Sequence, residues 1–127
     1  MAQTNAGNIL VIEDNPDNMK LVTWMLEDEG YTISPAYTAE DGLELAESND
    51  FDVILMDISL PGLDGKAATQ QLRKTKKYKD APIIALTAHA IISEEKDILE
   101  SGVSELITKP INEVLLLERL KYYISHE

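Results

Sequence analysis

The chain has 127 residues, 44% of them hydrophobic and 27% charged, which is the usual size of one globular domain and leaves no room for a second. An output domain within residues 1–127 is therefore not expected. The absence of cysteine excludes disulfides and thiolate metal sites. A formal net charge of −12 repels both a phosphate backbone and an anionic membrane, and favours protein partners and divalent cations. The start, MAQTNAGN, has neither the basic opening nor the apolar run of a signal peptide, and no apolar stretch approaches the ~20 residues of a membrane span, so the cytoplasm is the expected compartment.

Short apolar runs alternate with longer amphipathic ones along the chain. The run Ile9 to Ile12 reads as a first strand. Asn15 then caps a helix with Pro16 at its first position, and Met19, Val22, Trp24, Met25 and Leu26 form its buried stripe before Gly30 stops it. Thr32 to Ala36 is a second strand. Thr38, with Asp41 three residues on, resembles a capping box and opens a helix through Ala46. Val53 to Met56 is a third strand. Asp64 caps a helix presenting Ala68 and Leu72, which runs out into Arg73, Lys74, Lys76, Lys77 and Lys79. Ile83 to Leu86 is a fourth strand, followed by a helix opened by Ser93, with Glu94 and Glu95 in its first turn and Gly102 past its end. Glu105 to Thr108 is a fifth strand, and after Pro110 the stripe Leu116, Leu117, Leu120, Tyr123 and Ile124 makes the last helix. The first, third and fourth strands are nearly continuous in Ile, Val, Leu and Met, as central parallel strands covered on both faces are. The sequence predicts a doubly wound α/β domain of five βα units.

Open parallel sheets deliver ligand-binding residues from the carboxyl ends of their strands. Here those ends carry Glu13 and Asp14, then Asp57, then Thr87, then Lys109 followed by Pro110. Carboxylates brought within a few Å raise one another's pKa unless a cation supplies the missing charge. Oxygen ligands without His or Cys select a hard divalent ion, and Mg²⁺ suits one or two carboxylates plus waters and phosphate oxygens. Lys109 then either pairs with Asp57 or meets an anionic group delivered to it, and the Thr87 hydroxyl can donate to the same group. Together with backbone amides after Asp57, these residues have what phosphoryl transfer asks of a protein, and Asp57 is the nucleophile, since carboxylates form acyl phosphates. Taken singly, Asp14 reads equally as a turn or cap residue and Lys109 as a solvated lysine; the joint placement at four strand ends carries the reading.

The stretches ILVIEDNPDN, DVILMDISLPGLDG, PIIALTA and ELITKPI resemble the receiver domain of two-component response regulators, over Asn8 to Ile124. The resemblance, rather than the residues, supplies the flavodoxin-like strand order 2-1-3-4-5. It implies that Asp57 is the phosphoacceptor, that Glu13 and Asp14 are the acidic pair, and that the Ser59 carbonyl completes the Mg²⁺ shell. Thr87 resembles the switch hydroxyl, Lys109 the lysine that contacts the phosphoryl group, and Pro110 the proline after a cis bond. The implied function is a phosphorylation switch in a two-component system or phosphorelay. A histidine kinase or histidine phosphotransfer protein donates from phosphohistidine, the acyl phosphate later hydrolyses, and the fourth helix, fifth strand and fifth helix repack to present a new surface to a downstream protein. This is a signalling module with autocatalytic chemistry rather than a turnover enzyme.

Two positions depart from the family pattern. Leu106 stands where the fifth strand usually carries Tyr or Phe, and Glu13 where the family often has Asp. A phosphatase of the haloacid dehalogenase type wants a second Asp two residues after the nucleophile, where this chain has Ser59. A flavodoxin-like phosphate site needs a Ser/Thr/Gly-rich loop after the first strand, where Glu13 and Asp14 would repel phosphate. A non-phosphorylated scaffold of the same fold should have lost one of the site residues, and all are present. The cations from Arg73 to Lys79 read as a solvated helix end complementing the dipole, Trp24 as core or half-buried packing, and His89 as either a plain loop residue or one tuning water access.

Overall fold

The computed structural model describes residues 7–58, 65–87, 96 and 98–125. The elements are β1 (Asn8–Ile12), α1 (Pro16–Asp28), β2 (Thr32–Ala36), α2 (Ala39–Ser48), β3 (Val53–Asp57), α3 (Gly65–Arg73), β4 (Ile83–Thr87), the helical residues 98–100 (α4), β5 (Glu105–Thr108) and α5 (Glu113–Ser125). The sheet is five-stranded and entirely parallel, in the order β2-β1-β3-β4-β5. Asp64, His89 and residues 93–95 lie outside the described residues.

The period-two alternation of side chains splits the central strands between two apolar layers. Leu10, Ile12, Ile54, Met56, Ile83 and Ala85 pack on the face that carries Ala39 and Ala46 of α2 and Ala68 and Leu72 of α3. Ile9, Val11, Val53, Leu55, Ile84 and Leu86 pack on the other, with Met19, Val22 and Leu26 of α1 and Leu116 and Leu120 of α5. Both faces are thus covered, which is why β1, β3 and β4 read as continuous hydrophobic runs. The edge strand β2 accommodates Pro35, which has no N–H to give to a ladder.

Helix ends follow their local signals. The Asn15 side chain accepts from the N–H groups of Asp17 and Asn18 at 2.9 and 3.0 Å, and Thr38 Oγ1 accepts from Asp41 at 3.1 Å. After α1, Gly30 takes a φ of +92°, a conformation a side chain would strain. Two expectations are corrected. Trp24 is 69% exposed, because its position in the helical turn falls outside the stripe formed by Met19, Val22, Met25 and Leu26. The cations from Arg73 to Lys79 are not one solvated face. Arg73 is half-buried, and its guanidinium donates to the carbonyls of Gly102 (2.8 Å), Tyr78 (2.8 Å) and Ala81 (2.6 Å) and to Ser104 Oγ (3.3 Å). It fastens the connection after α3 to the turn between α4 and β5. Lys77 Nζ reaches the α2 carbonyls of Ala46 (3.1 Å) and Glu47 (3.3 Å), and the buried Tyr78 hydroxyl lies 2.8 and 2.7 Å from the Ala46 and Asn49 carbonyls, its one proton shared between them.

Removing a guanidinium that several buried or half-buried carbonyls accept from leaves those groups short of a donor and costs their desolvation. Arg73→Met is expected to lower stability by about 2–4 kcal/mol, whereas Lys79→Met, on an exposed side chain, is expected to change it by less than about 0.5 kcal/mol. Urea unfolding midpoints of the two variants check this.

Candidate functional site

The site forms where the carboxyl ends of β1, β3, β4 and β5 meet. Glu13 follows the last residue of β1 and is 1% exposed; Asp57 ends β3 at 3% and Thr87 ends β4 at 0%. Asp14 is exposed, one residue further on. Carboxylate oxygens of Glu13, Asp14 and Asp57 lie within 4.8 Å of one another. Lys109, one residue past β5, is brought in by the pairing of β4 with β5, and its N–H donates to the Thr87 carbonyl at 2.7 Å. The Lys109–Pro110 peptide bond is cis.

Local structure holds these groups in place. The Glu13 N–H donates to the Ala36 carbonyl at 3.0 Å, tying the end of β1 to β2, and Glu13 Oε2 accepts from the Asn15 N–H at 3.2 Å. At β3, the Ile58 N–H donates to Leu86 at 3.1 Å. Gly65 opens α3 directly against this turn. A methyl group there would sit 2.5 Å from the Asp57 carbonyl oxygen and 2.9 Å from Ile58 Cα, so only glycine allows the helix to start so close to the strand end.

The Lys109 ammonium donates to Glu13 Oε1 at 2.8 Å and lies 3.5 Å from Asp57 Oδ2. The sequence left Lys109 either to pair with Asp57 or to meet an anionic group delivered there; in the fold its shorter bond goes to Glu13, and Asp57 is its more distant partner. Burial, together with a hydrogen bond that the protonated form donates to Asp57 and the charge of Asp57, pushes the Glu13 carboxyl up to about 7, against the opposing pull of Lys109. Burial alone would depress Lys109, yet its contacts with Glu13 and Asp57 hold it above the usual lysine value. One ammonium against three crowded carboxylates leaves the cluster short of positive charge. A donor set made only of oxygen, partly exposed at Asp14, fits a hard divalent cation.

Of the residues singled out from the sequence, Glu13, Asp14, Asp57 and Lys109 come together, and Thr87 ends the strand beside Asp57, one position past Leu86, the Asp57 partner in the ladder. Ser59 lies outside the described residues. Leu106 is partly buried against the α2/α3-side core. A further cluster escaped sequence reading. Glu105 Oε1 of β5 accepts from Arg119 Nε and from the Tyr123 hydroxyl of α5, both at 2.8 Å. The helical spacing of Arg119 and Tyr123 put them on one face, but nothing in the sequence paired that face with Glu105.

Fold and site define a class. A family model described as the response regulator receiver domain matches residues 9–121, and the chain belongs to that family. The receiver domain of sensor histidine kinase PA1611 from Pseudomonas aeruginosa, solved with a magnesium ion coordinated in its active-site cleft, superposes with a TM-score of 0.88 at 34% identity, covering 94% of this chain and 98% of that one. The polar-differentiation response regulator DivK of Brucella ovis is 34% identical over 118 residues, 93% of this chain and 96% of DivK. The sensor protein GacS of Pseudomonas syringae is 36% identical over 113 residues, 87% of this chain but only 12% of GacS. The chain thus spans about an eighth of the length of such kinases and nearly all of the single-domain regulator. It is a receiver domain, homologous to those of histidine kinases and of response regulators, and so a member of a family of signalling modules. Among the described residues, no helix is long and apolar enough to cross a membrane.

The raised Glu13 carboxyl makes stability depend on pH. The folded state holds this proton up to about pH 7, while the unfolded chain releases it near 4.5. Stability contributed by the protonated group is therefore complete below 4.5 and is lost as pH rises through 7. In chelator, the stability difference between the native protein and Glu13→Gln is expected to shift against the native protein between pH 5 and pH 7.5. Parallel urea titrations at those pH values check it.

Proposed function

We propose that the cluster is a Mg²⁺-dependent phosphoacceptor site with Asp57 as nucleophile. The observation that carries this reading is the crowding of three carboxylates at strand ends with a lysine ammonium beside them. Glu13, Asp14 and Asp57, with the backbone carbonyl of Ser59, would hold the ion. When bound, Mg²⁺ neutralises the carboxylates and the charge on phosphoryl oxygens.

A carboxylate oxygen of Asp57 attacks the phosphorus of a phosphohistidine, the P–N bond breaks, and the imidazole nitrogen leaves with the bonding pair. Lys109 is poised for this step, because its ammonium is already 3.5 Å from Asp57 Oδ2 and can shift its bond from Glu13 to an incoming phosphoryl oxygen. Thr87, the buried last residue of β4, donates its hydroxyl to the same group and links occupancy of Asp57 to the β4–β5 side of the sheet. Autocatalytic hydrolysis of the acyl phosphate resets the switch. The donor is a histidine kinase or histidine phosphotransfer protein, the output a downstream protein that reads α4, β5 and α5, and the compartment the cytoplasm. Residues 1–127 act as one receiver unit.

That output face has specific chemistry. Glu105, Arg119 and Tyr123 tie β5 to α5, and Val114, Leu115 and Tyr122 are exposed on α5 at 66%, 41% and 47%. Leu106, in place of an aromatic residue, offers no hydroxyl or large ring to follow the threonine, so the Glu105 cluster is the polar contact through which β5 and α5 move together.

Intact-mass spectrometry after incubation with acetyl phosphate tests the reading. One phosphoryl adduct is expected, absent without Mg²⁺ and absent in Asp57→Asn. Thr87→Ala is expected to keep the adduct but to lose the phosphorylation-dependent change in amide exchange at β5 and α5. No adduct on the native chain, under conditions that load another receiver, overturns the proposal in favour of a non-phosphorylated scaffold. Persistence of the adduct in Asp57→Asn would relocate the acceptor.

A further inference from the structure

The edge strand β2 is flanked by two grooves that share Pro35. The one on the α1 side, of about 290 Å³, is lined by Met19, Trp24, Pro35 and Tyr37 together with Lys20 and Glu27. The one on the α2 side, of about 350 Å³, is lined by Pro35, Leu45 and Ser48 together with Asp41 and Glu44. Trp24 and Tyr37 are 69% and 47% exposed, and among the described residues no cation lies over either ring. Exposed aromatic rings grouped in one groove mark a contact surface. The occupant does not join the sheet as a sixth strand. The Thr32 N–H donates to Gly7 and the Ala36 carbonyl accepts from Glu13, so in this parallel ladder residues 33 and 35 turn their backbone groups outward, and Pro35 has no N–H to offer. Recognition therefore falls to side chains.

The charge of this edge selects the occupant. Glu27, Asp41 and Glu44 line the two grooves against a single ammonium, that of Lys20. Lys20 is the sole basic residue from 16 to 48, and Asp28 and Glu40 are exposed on the same two helices. None of the lining carboxylates forms an ion pair among the described residues. The net charge of −12 adds to this local field rather than opposing it. A guanidinium answers both features, since it stacks on aromatic faces and pairs with carboxylates. We propose that the β2 edge docks a basic, arginine-containing segment of a partner protein, with guanidinium groups stacking on Trp24 and Tyr37 while neighbouring cations meet Glu27, Asp41 and Glu44. A nucleic acid is repelled by the same carboxylates. A second copy joined edge to edge would set like charges against each other. None of these residues belongs to the acidic cluster, so the inference does not rest on the phosphoacceptor reading.

Trp24 is the sole tryptophan, so its fluorescence reports this groove directly. The full chain, with Mg²⁺ present, is titrated with a short acetylated peptide of arginine and serine, and with two controls in which lysine or glutamate replaces arginine. A saturable change in emission is expected with the arginine peptide, weaker with lysine, absent with glutamate, and reduced as salt is raised. In ¹⁵N-labelled protein, amide shifts are expected at Thr23, Trp24, Tyr37, Glu44 and Leu45. Glu27→Gln combined with Glu44→Gln is expected to weaken binding roughly tenfold, and Trp24→Ala, followed by amide shifts, roughly as much. Glu113→Gln combined with Glu118→Gln removes the same charge from α5 and is expected to leave binding unchanged, which separates a site from attraction by net charge. All these side chains are exposed, so the variants retain the fold. Asp57→Asn is expected to bind the peptide as the native chain does, so failure of either proposal is visible without the other. The docking proposal is overturned by shifts confined to α5 or the strand ends, by equal weakening from the two double variants, or by a lysine or glutamate peptide that binds as tightly as the arginine one. No saturable change up to millimolar peptide overturns it, as does a shift of the same residues with protein concentration alone, which would place a second copy there.

Discussion

Mutual repulsion among carboxylates at the carboxyl edge of the sheet is the constraint around which this domain is arranged. Glu13, Asp14 and Asp57 bring their oxygens within 4.8 Å, two of the three side chains being almost fully buried, and the fold supplies a single ammonium to offset them. Such a cluster is costly unless protons or cations enter it. The raised Glu13 carboxyl is the protonated solution, and a hard divalent ion would be the metal-bound one. A site held short of positive charge favours the entry of a cation, which is the physical basis of the proposed switch.

The rest of the architecture keeps that arrangement rigid. Apolar layers on both faces bury the middle strands completely, so the strand ends cannot drift apart without breaking the core. Asn15 caps α1 and immobilises the loop carrying Asp14, while Gly65 lets α3 begin against the backbone of Asp57. On the β5 side the strand is short, and within it Ile107 alone is fully buried.

The two ends of the sheet divide the labour. The acidic cluster sits at the carboxyl ends. At the amino ends, the connection after α3 acts as a clasp: Arg73 gathers carbonyls from two loops, and Lys77 and Tyr78 close the end of α2. The same seven-residue run therefore holds the fold together with some of its cations and presents the others to solvent beside a groove.

By itself the sequence determined the layered fold, since hydropathy period is a local property: Val53 to Met56 and Ile83 to Leu86 are too continuous for a half-exposed strand, and Asn15-Pro16 and Thr38 announce helix starts that the structure retains. It also determined the membership of the acidic cluster, because strand ends in a parallel sheet share one edge whatever the details of packing. Partnership was another matter. That Lys109 bonds most closely to Glu13, that Trp24 faces solvent, that Arg73 is a structural fastener while Lys74 is not, and that Glu105 meets Arg119 and Tyr123 were decided by the tertiary structure alone. A charged side chain is defined by which carbonyl or carboxylate the fold carries to within about 3 Å of it, and residues 14 to 96 positions apart in the chain acquire that proximity only when the sheet and its helices are assembled.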